Sequence, residues 1–471
     1  MTQFLYEGAL LLGERAVDVL VDGERIAAVE PAGGLDPAVL GAAEAQRVDV
    51  RGLILLPGLV DLHVHLREPG FESSETILTG TMAAAKGGFT TVFAMANTSP
   101  VQDTAGVVET VAATGAACGY ADVRPVGAVT VGLAGERLSE IGAMAASRAR
   151  VRVFSDDGIC VSDPLVMRRA LEYVKSFGGV VAQHAQDPRL TVGAQMNEGA
   201  LSAELGLGGW PGVAETSIIA RDVLLAEHVD SRVHVCHLST RASVEVVRWA
   251  KRRGVRVTAE VTPHHLLLTE ELVRGFDARF KVNPPLRTAD DVAALREAVA
   301  DGTIDIVATD HAPHPVDAKE AEWDRAAMGM VGLESALRVV QAVLVDEGRI
   351  GWPDVARIMS HAPAAIGSDE ESGRPVAAGE PANLCFYDPA PAAPFSTGDL
   401  RGKSVNSPFL GRSLPGRVVH TVHRGQPTLR DGELVDAAEV AAAARRRAAR
   451  RAAPAGPGRD GRARGREAGE A

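Results

Sequence analysis

The sequence predicts an α/β protein: a (β/α)8 TIM-like barrel with a small β-sandwich domain formed by the N- and C-terminal segments. Three observations carry this reading. Both ends show short alternating apolar and polar segments, as in "ALLLGERAVDVLVDGERIAAVEP" and "GRVVHTVHRGQPTLRDGEL", the texture of strands and hairpins. Between them, short apolar runs alternate with segments of helical period, the pattern of βα units around a parallel sheet. Eight such runs can be counted, the number that closes a barrel of this kind.

In chain order, the turn Asp22-Gly23 separates two apolar runs and predicts a hairpin in the N-terminal part of the sandwich, residues 1–55. The barrel is expected over 56–364, with strands in "LILLPGLVDLHVH", "FTTVFAMAN", "DVRPVGAVT", "RVRVFSDDG", "GVVAQHAQD", "RVHVCHLST", "RVTAEVTPHHL" and "DIVATDHAPH". Helical stretches fall at Thr76–Lys86, Pro164–Lys175, Ala214–His228 and Ala242–Arg253. Strand texture returns at "GRPVAAGEPANLCFYDP", giving the second half of the sandwich over 365–436. The remainder, 437–471, carries nine arginines against four acidic residues and reads as a disordered tail, its Ala-Arg part able to form a short helix.

Composition narrows the function. At 471 residues and 46% hydrophobic, the chain can bury a large catalytic core. Its net charge of −12 argues against a nucleic-acid partner, which needs a basic face. Apolar stretches stop short of the roughly 18 residues of a membrane span, and the start "MTQFLYEGAL" lacks a secretory signal, so a cytoplasmic protein is expected. Cys118, Cys160, Cys236 and Cys385 show no paired spacing and read as reduced and mostly buried.

The chemistry gathers at the C-terminal ends of the predicted strands. Residues i and i+2 share a strand face, so His63 and His65 can present two imidazoles to one cation. His184 has the parity of Val180 and Ala182, His237 that of Val233 and Val235, and Asp310 that of Ile306 and Ala308, so each is expected to extend an inward apolar row. Of the adjacent Asp156 and Asp157, the second shares a face with Val151 and Val153. Four histidines and two aspartates exceed the three protein ligands of a single catalytic zinc, which favours a binuclear site over one ion per chain. Imidazole with carboxylate favours Zn2+ over magnesium.

These segments, with "KVNPPLR" and "GLES", stand in the order found in bacterial dihydroorotases of the class I type, and the chain resembles that branch of the amidohydrolase superfamily as far as about Leu434. The resemblance implies that His63 and His65, with Asp310, hold a first metal and that His184 and His237 hold a second. It makes Asp157 the bridging ligand, where many relatives carry a carbamylated lysine. It places Arg67 and Asn97 on the substrate's carboxylate, with Asn283 and His314 close by, and it makes Asp310 the proton shuttle. His264 and His265 are expected to be structural. One departure is local: Ala327 to Gly332 replaces the Pro-Phe-Gly that often precedes "GLE" in the family, and could alter the pocket wall.

The implied reaction is the reversible, metal-dependent cyclisation of N-carbamoyl-L-aspartate to (S)-dihydroorotate in pyrimidine biosynthesis. It needs an activated water, a polarised carbonyl and a proton carrier. Arg67 would share the parity of His63 and His65 if their strand continued that far, and its planar fork suits a carboxylate. The alternatives are a hydantoinase or allantoinase, or a non-catalytic homologue that scaffolds aspartate transcarbamoylase. Expected partners are the small-molecule substrate, further copies of the chain in a homodimer or larger oligomer, and aspartate transcarbamoylase.

Overall fold

The computed structural model describes residues 3–35 and 45–452. The fold is a mixed α/β architecture in which both chain ends build one sheet and the middle of the chain alternates strands and helices. Nine strands form the terminal sheet, five from Gln3–Leu11 to Ile54–Pro57 and four from Leu384–Pro394 to Glu433–Leu434. Its seam is Ile54–Pro57, parallel to Leu10 and Leu11 on one side and antiparallel to Leu384–Tyr387 on the other. All four seam residues are buried, which is why this run is continuously apolar. Across the seam Tyr6 stacks on Phe386 with ring centroids 4.7 Å apart, and Val17, Val19, Val21, Leu384 and Val422 join the same core.

The seam divides a run expected to be one strand. Residues 53–65 hold Ile54–Pro57 in the terminal sheet and Leu59–Val64 in the centre, so the first central strand grows directly out of the sheet formed by the chain ends. The central strands are all parallel and form two arcs. Leu59–Val64, Phe89–Ala94 and Asp122–Pro125 make one; Val153–Phe154, Val180–Gln183, Val233–Val235, Val257–Val261 and Ile306–Val307 make the other. Parallel bridges between Gly127 and Phe154 and between Val64 and His311 join their edges.

Two apolar clusters show which way each strand faces. Val60, Leu62, Phe93, Met95, Val126, Val153, Val180, Ala182, Cys236, Ile306 and Ala308 pack together on the inner side. Leu59, Val92, Phe154, Val181, Val235 and Val307 pack outward with the helices. The four expected helices lie within a residue or so of their expected bounds, and three of them start on a side-chain cap, at Thr76, Asp163 and Thr240. Pro164–Lys175 begins at Asp163, whose carboxylate accepts the amides of Leu165 and Val166, and buries Met167, Ala170, Leu171 and Val174. All four cysteines are free, three of them buried. Among the described residues no helix is long and apolar enough to cross a membrane.

Part of the tail expected to be disordered is helical: Ala437–Ala452 forms the helix that its Ala-Arg composition allowed, and residues 453–471 lie outside the described part. Val440, Ala443 and Ala444, at helical spacing, are buried, Val440 against Ala85 and Tyr120. The approach is close because Gly119 faces the helix; with a φ of 80° it suits glycine, and a Cβ there would sit 2.8 Å from that of Ala444. Composition hid this because the buried stripe is made mostly of alanine. Val440→Asp would place an unpaired carboxylate in the contact and is expected to lower unfolding free energy by about 2 kcal/mol. Denaturant titration reads the change, and an unaltered midpoint would contradict the docking.

Candidate metal centre

The six expected ligands come together, by routes that differ from strand to strand. His184 follows Val180 and Ala182 of the inner cluster, and Asp310 follows Ile306 and Ala308. His63 and His65 depend on a bulge. Asp61 pairs with Val92 and Val64 with Ala94, so Leu62 and His63 together oppose Phe93 alone. Leu62 therefore faces inward, and His63 and His65 do so after it, while Val64 turns outward. His237 corrects the parity argument, because Val233 and Val235 face the helices whereas Cys236 faces inward. His237 reaches the centre because its backbone leaves the strand with a φ of 30°; Asp310, at 47°, is turned in the same way. Such left-handed positions in residues other than glycine are costly, and they cluster at functional sites.

Asp157 lies at the middle. Its Oδ1 is 3.3 Å from His63 Nε2, 3.5 Å from His184 Nδ1 and 3.7 Å from His237 Nε2, and its Oδ2 is 3.3 Å from His65 Nε2. Asp310 Oδ1 is 3.1 Å from His65 Nε2 and 3.4 Å from His63 Nε2. Asp156 points elsewhere and accepts the backbone amides of Val129 and Thr130 at 2.7 and 3.0 Å.

Each of the six is at most 5% exposed, so water screens their charges little. Burial pushes the Asp157 carboxyl up, but the imidazoles of His63, His184 and His237 outweigh it and hold it well below the usual range. Asp310 is held at about 2 against burial, chiefly by His63 and His65. Burial opposes charge on His63 too, yet Asp157, Glu260 and Asp310 raise it well above its ordinary value. Carboxylates that draw protons onto these rings would equally draw a cation.

The donor set fits such an ion. His63 Nε2 and Asp157 Oδ1 are buried without a hydrogen-bond partner, an arrangement that is costly unless something binds them. Ligand atoms of His63, His65 and Asp157, of His63, His237 and Asp310, and of Asp157, His184 and His237 each lie within 4.8 Å of one another. Nitrogen and carboxylate donors of this kind suit zinc.

Two buried carboxylates that sequence reasoning passed over support these ligands. Glu260 accepts from His63 Nδ1 at 2.6 Å, and Asp61 accepts the amides of His63 and Thr309 at 3.1 and 3.2 Å. Both were detectable as charged residues inside apolar strands, which require a partner. His264 and His265 stay outside the ligand groups. Burial lowers both, His264 to about 4, and His265 Nδ1 meets Thr262 Oγ1 at 2.8 Å.

The four expected substrate residues surround the same centre. The first strand ends at Val64, so Arg67 stands in a loop, with a φ of 63°, instead of continuing the histidines' strand. Its Nε donates to Pro313 O at 3.2 Å and its Nη2 is 3.5 Å from His314 Nε2. Burial lowers Arg67 to about 10. His314 is lowered to about 3, by burial and then by Arg67, so its neutral ring donates to Met328 O at 2.8 Å. Asn97 Oδ1 accepts from His65 Nδ1 at 2.8 Å, which turns Nε2 toward the carboxylates. Asn283 Nδ2 lies 3.3 Å from His184 Nε2, and Asn283 Oδ1 is buried without a partner.

The divergent wall is held by a buried lysine. Lys319 Nζ donates to the carbonyls of Lys281, Ala327 and Gly329 at 3.2, 2.7 and 3.0 Å. Gly329, with a φ of 143°, allows His314 to approach; a Cβ there would sit 2.8 Å from His314 Nε2.

With this geometry in view, the sequence comparisons agree on one family and the structural ones show a shared fold. A profile described as dihydro-orotase-like matches residues 52–243. The chain is 68% identical to a dihydroorotase of Leifsonia xyli over 433 residues, 92% of this chain and 97% of that one. It is 53% identical to a dihydroorotase of Mycobacterium tuberculosis over 422 residues, 90% and 96% of the two chains. Its fold is similar to that of the L-hydantoinase (dihydropyrimidinase) of Arthrobacter aurescens, with a TM-score of 0.80 at 23% identity over 93% of this chain and 98% of that one. It is also similar to the dihydropyrimidinase of Brevibacillus agri, with a TM-score of 0.78 at 23% identity over 92% and 96%.

The wall makes a pH prediction. Burial, then repulsion from Lys281, lowers Lys319 from 10.5 to about 7. Between those values the unfolded chain holds a proton that the folded chain has released, so this residue's contribution to stability rises with pH across that window and is lowest below it. Lys319→Met should remove the rise when the two proteins are unfolded side by side from pH 7 to 10.5; parallel curves would contradict the assignment.

Proposed function

The chain belongs to the dihydroorotase family, and from that premise we propose that its six converging side chains hold a pair of zinc ions beside a pocket for N-carbamoyl-L-aspartate and (S)-dihydroorotate. The chain has dihydroorotase function, the reversible closure and hydrolysis of a cyclic amide. The observation that carries the site assignment is the Asp157 carboxylate ringed by His63, His65, His184 and His237 within 3.3 to 3.7 Å. In this reading His63, His65 and Asp310 would hold one ion and His184 and His237 the other, with Asp157 shared between the two positions. The two central arcs and the bridges that join them are read as one closed (β/α)8 barrel over 56–364, and the terminal sheet as a β-sandwich domain from 1–55 and 365–436. A homo-oligomer and contact with aspartate transcarbamoylase rest on family likeness alone.

When bound, the zinc pair supplies Lewis acidity, which activates water at neutral pH and polarises the ring carbonyl. The chain's own groups do the rest. In hydrolysis, a water oxygen adds to the ring carbonyl carbon, and Asp310, ionised at neutral pH, takes the water's proton on its free carboxylate oxygen. It delivers that proton to the ring nitrogen as the C–N bond breaks. Closure runs the same transfers backwards, with the carbamoyl nitrogen attacking the side-chain carboxyl carbon and water leaving. Arg67 and Asn97 are assigned to the substrate's carboxylate, and Asn283 and His314 to the rest of the ring. His314, neutral in its surroundings, can approach an anion without adding charge of its own. The Arg67 guanidinium would select an anionic ring over a neutral hydantoin.

Turnover of dihydroorotate, hydantoin and allantoin by one preparation tests the specificity: dihydroorotate should lead, and preference for either neutral ring would refute the pocket assignment. Arg67→Ala should raise KM for dihydroorotate about ten- to a hundredfold, the worth of a hydrogen bond to a charged group, and an unchanged KM would remove Arg67 from the carboxylate. Asp310→Ala should cut kcat by at least about a hundredfold; near wild-type turnover would deny it the proton.

A further inference from the structure

We infer that Glu260 is a positioning residue that fixes both metal positions at once, so that they gain or lose affinity together. The inference rests on the reading of the six side chains as metal ligands and adds a seventh residue that touches neither ion. Glu260 lies in the strand Val257–Val261, on the face opposite Val257, Ala259 and Val261, and is fully buried. Its Oε1 accepts from His63 Nδ1 at 2.6 Å and from the backbone amide of His237 at 3.1 Å. Its Oε2 accepts from His234 Nε2 at 3.0 Å, and His234 Nδ1 is 2.9 Å from Thr258 Oγ1.

The first contact settles the tautomer of His63. With the proton on Nδ1, the Nε2 lone pair is free and faces Asp157 and Asp310. The second contact holds the left-handed turn at His237, without which its ring would follow Val233 and Val235 toward the helices. One carboxylate oxygen thus orients a ligand of each ion, and the bond from His234 keeps that carboxylate from rotating. A glutamine at 260 would keep the shape but lose the charge. Its amide N–H would also oppose His234 Nε2–H unless that ring changed tautomer.

The test is metal binding by the full-length apoprotein, titrated with zinc by calorimetry and with Co(II) by its visible absorption. Wild type should take two equivalents. Glu260→Gln, its fold checked by circular dichroism, should bind both about ten- to a hundredfold more weakly, with an altered cobalt spectrum. Unchanged affinities, or weakening of one equivalent only, overturn the inference. Wild type lacking a second equivalent overturns the binuclear reading instead, and the inference with it. Should the variant fail to fold, 15N-histidine spectra of zinc-loaded wild type decide: a protected Nδ1–H on His63 is expected, and a proton on Nε2 overturns the proposal.

Discussion

The structure turns on one buried carboxylate. Asp157 is 4% exposed and ionised, and an isolated carboxylate in such surroundings would cost several kcal/mol even after the protein relaxes. Only close positive charge offsets that, and four imidazoles from three other strands or strand ends stand close enough to Asp157 to hold a cation against it. Three of the imidazoles have a partner on their far nitrogen. Glu260 stands behind His63, Asn97 behind His65, and Gln186 Oε1 lies 2.7 Å from His184 Nε2. The cluster is therefore a ring of donors around a carboxylate, three of them aimed by Glu260, Asn97 and Gln186, and its net effect is to favour cations at the centre.

The fold makes this affordable because the centre lies at one end of the inner apolar cluster, where strands give way to loops. Below the ligands, Val60, Val153, Val180 and Ile306 exclude water; above them, the loops can carry Arg67 and the wall around His314. The terminal sheet contributes to this rigidity. Its seam strand Ile54–Pro57 lies one residue before the strand that carries His63, so the chain ends and the site share one piece of backbone.

How much of this was legible in the sequence varied with how regular the backbone is. His184 could be placed by counting residues from Val180, because the strand Val180–Gln183 runs up to it, and Asp310 keeps the row of Ile306 and Ala308 although its own φ is 47°. His237 could not, because Val233 and Val235, whose parity it shares, face the helices. The bulge at Leu62 and His63 was equally hidden, although the His-x-His spacing survived it. Arg67 would have shared the histidines' parity had their strand continued, but it lies beyond the strand's end. Glu260 and Asp61 were readable as charges in apolar strands but were not sought. The alternating segments at the chain ends announced a shared sheet; that "LILLPGLVDLHVH" contributes to two sheets depends on pairing partners hundreds of residues away. The docking of the C-terminal helix was obscured by composition, because arginine and alanine dominate a stretch whose buried face needs only Val440 and two alanines.

Diffraction at the zinc absorption edge, from crystals of the protein purified with zinc, tests the central claim most directly. The account predicts two anomalous peaks, both about 2 Å from Asp157 oxygens, one also coordinated by His63, His65 and Asp310 and the other by His184 and His237. Peaks lying elsewhere, or none among these side chains at full zinc loading, would contradict it.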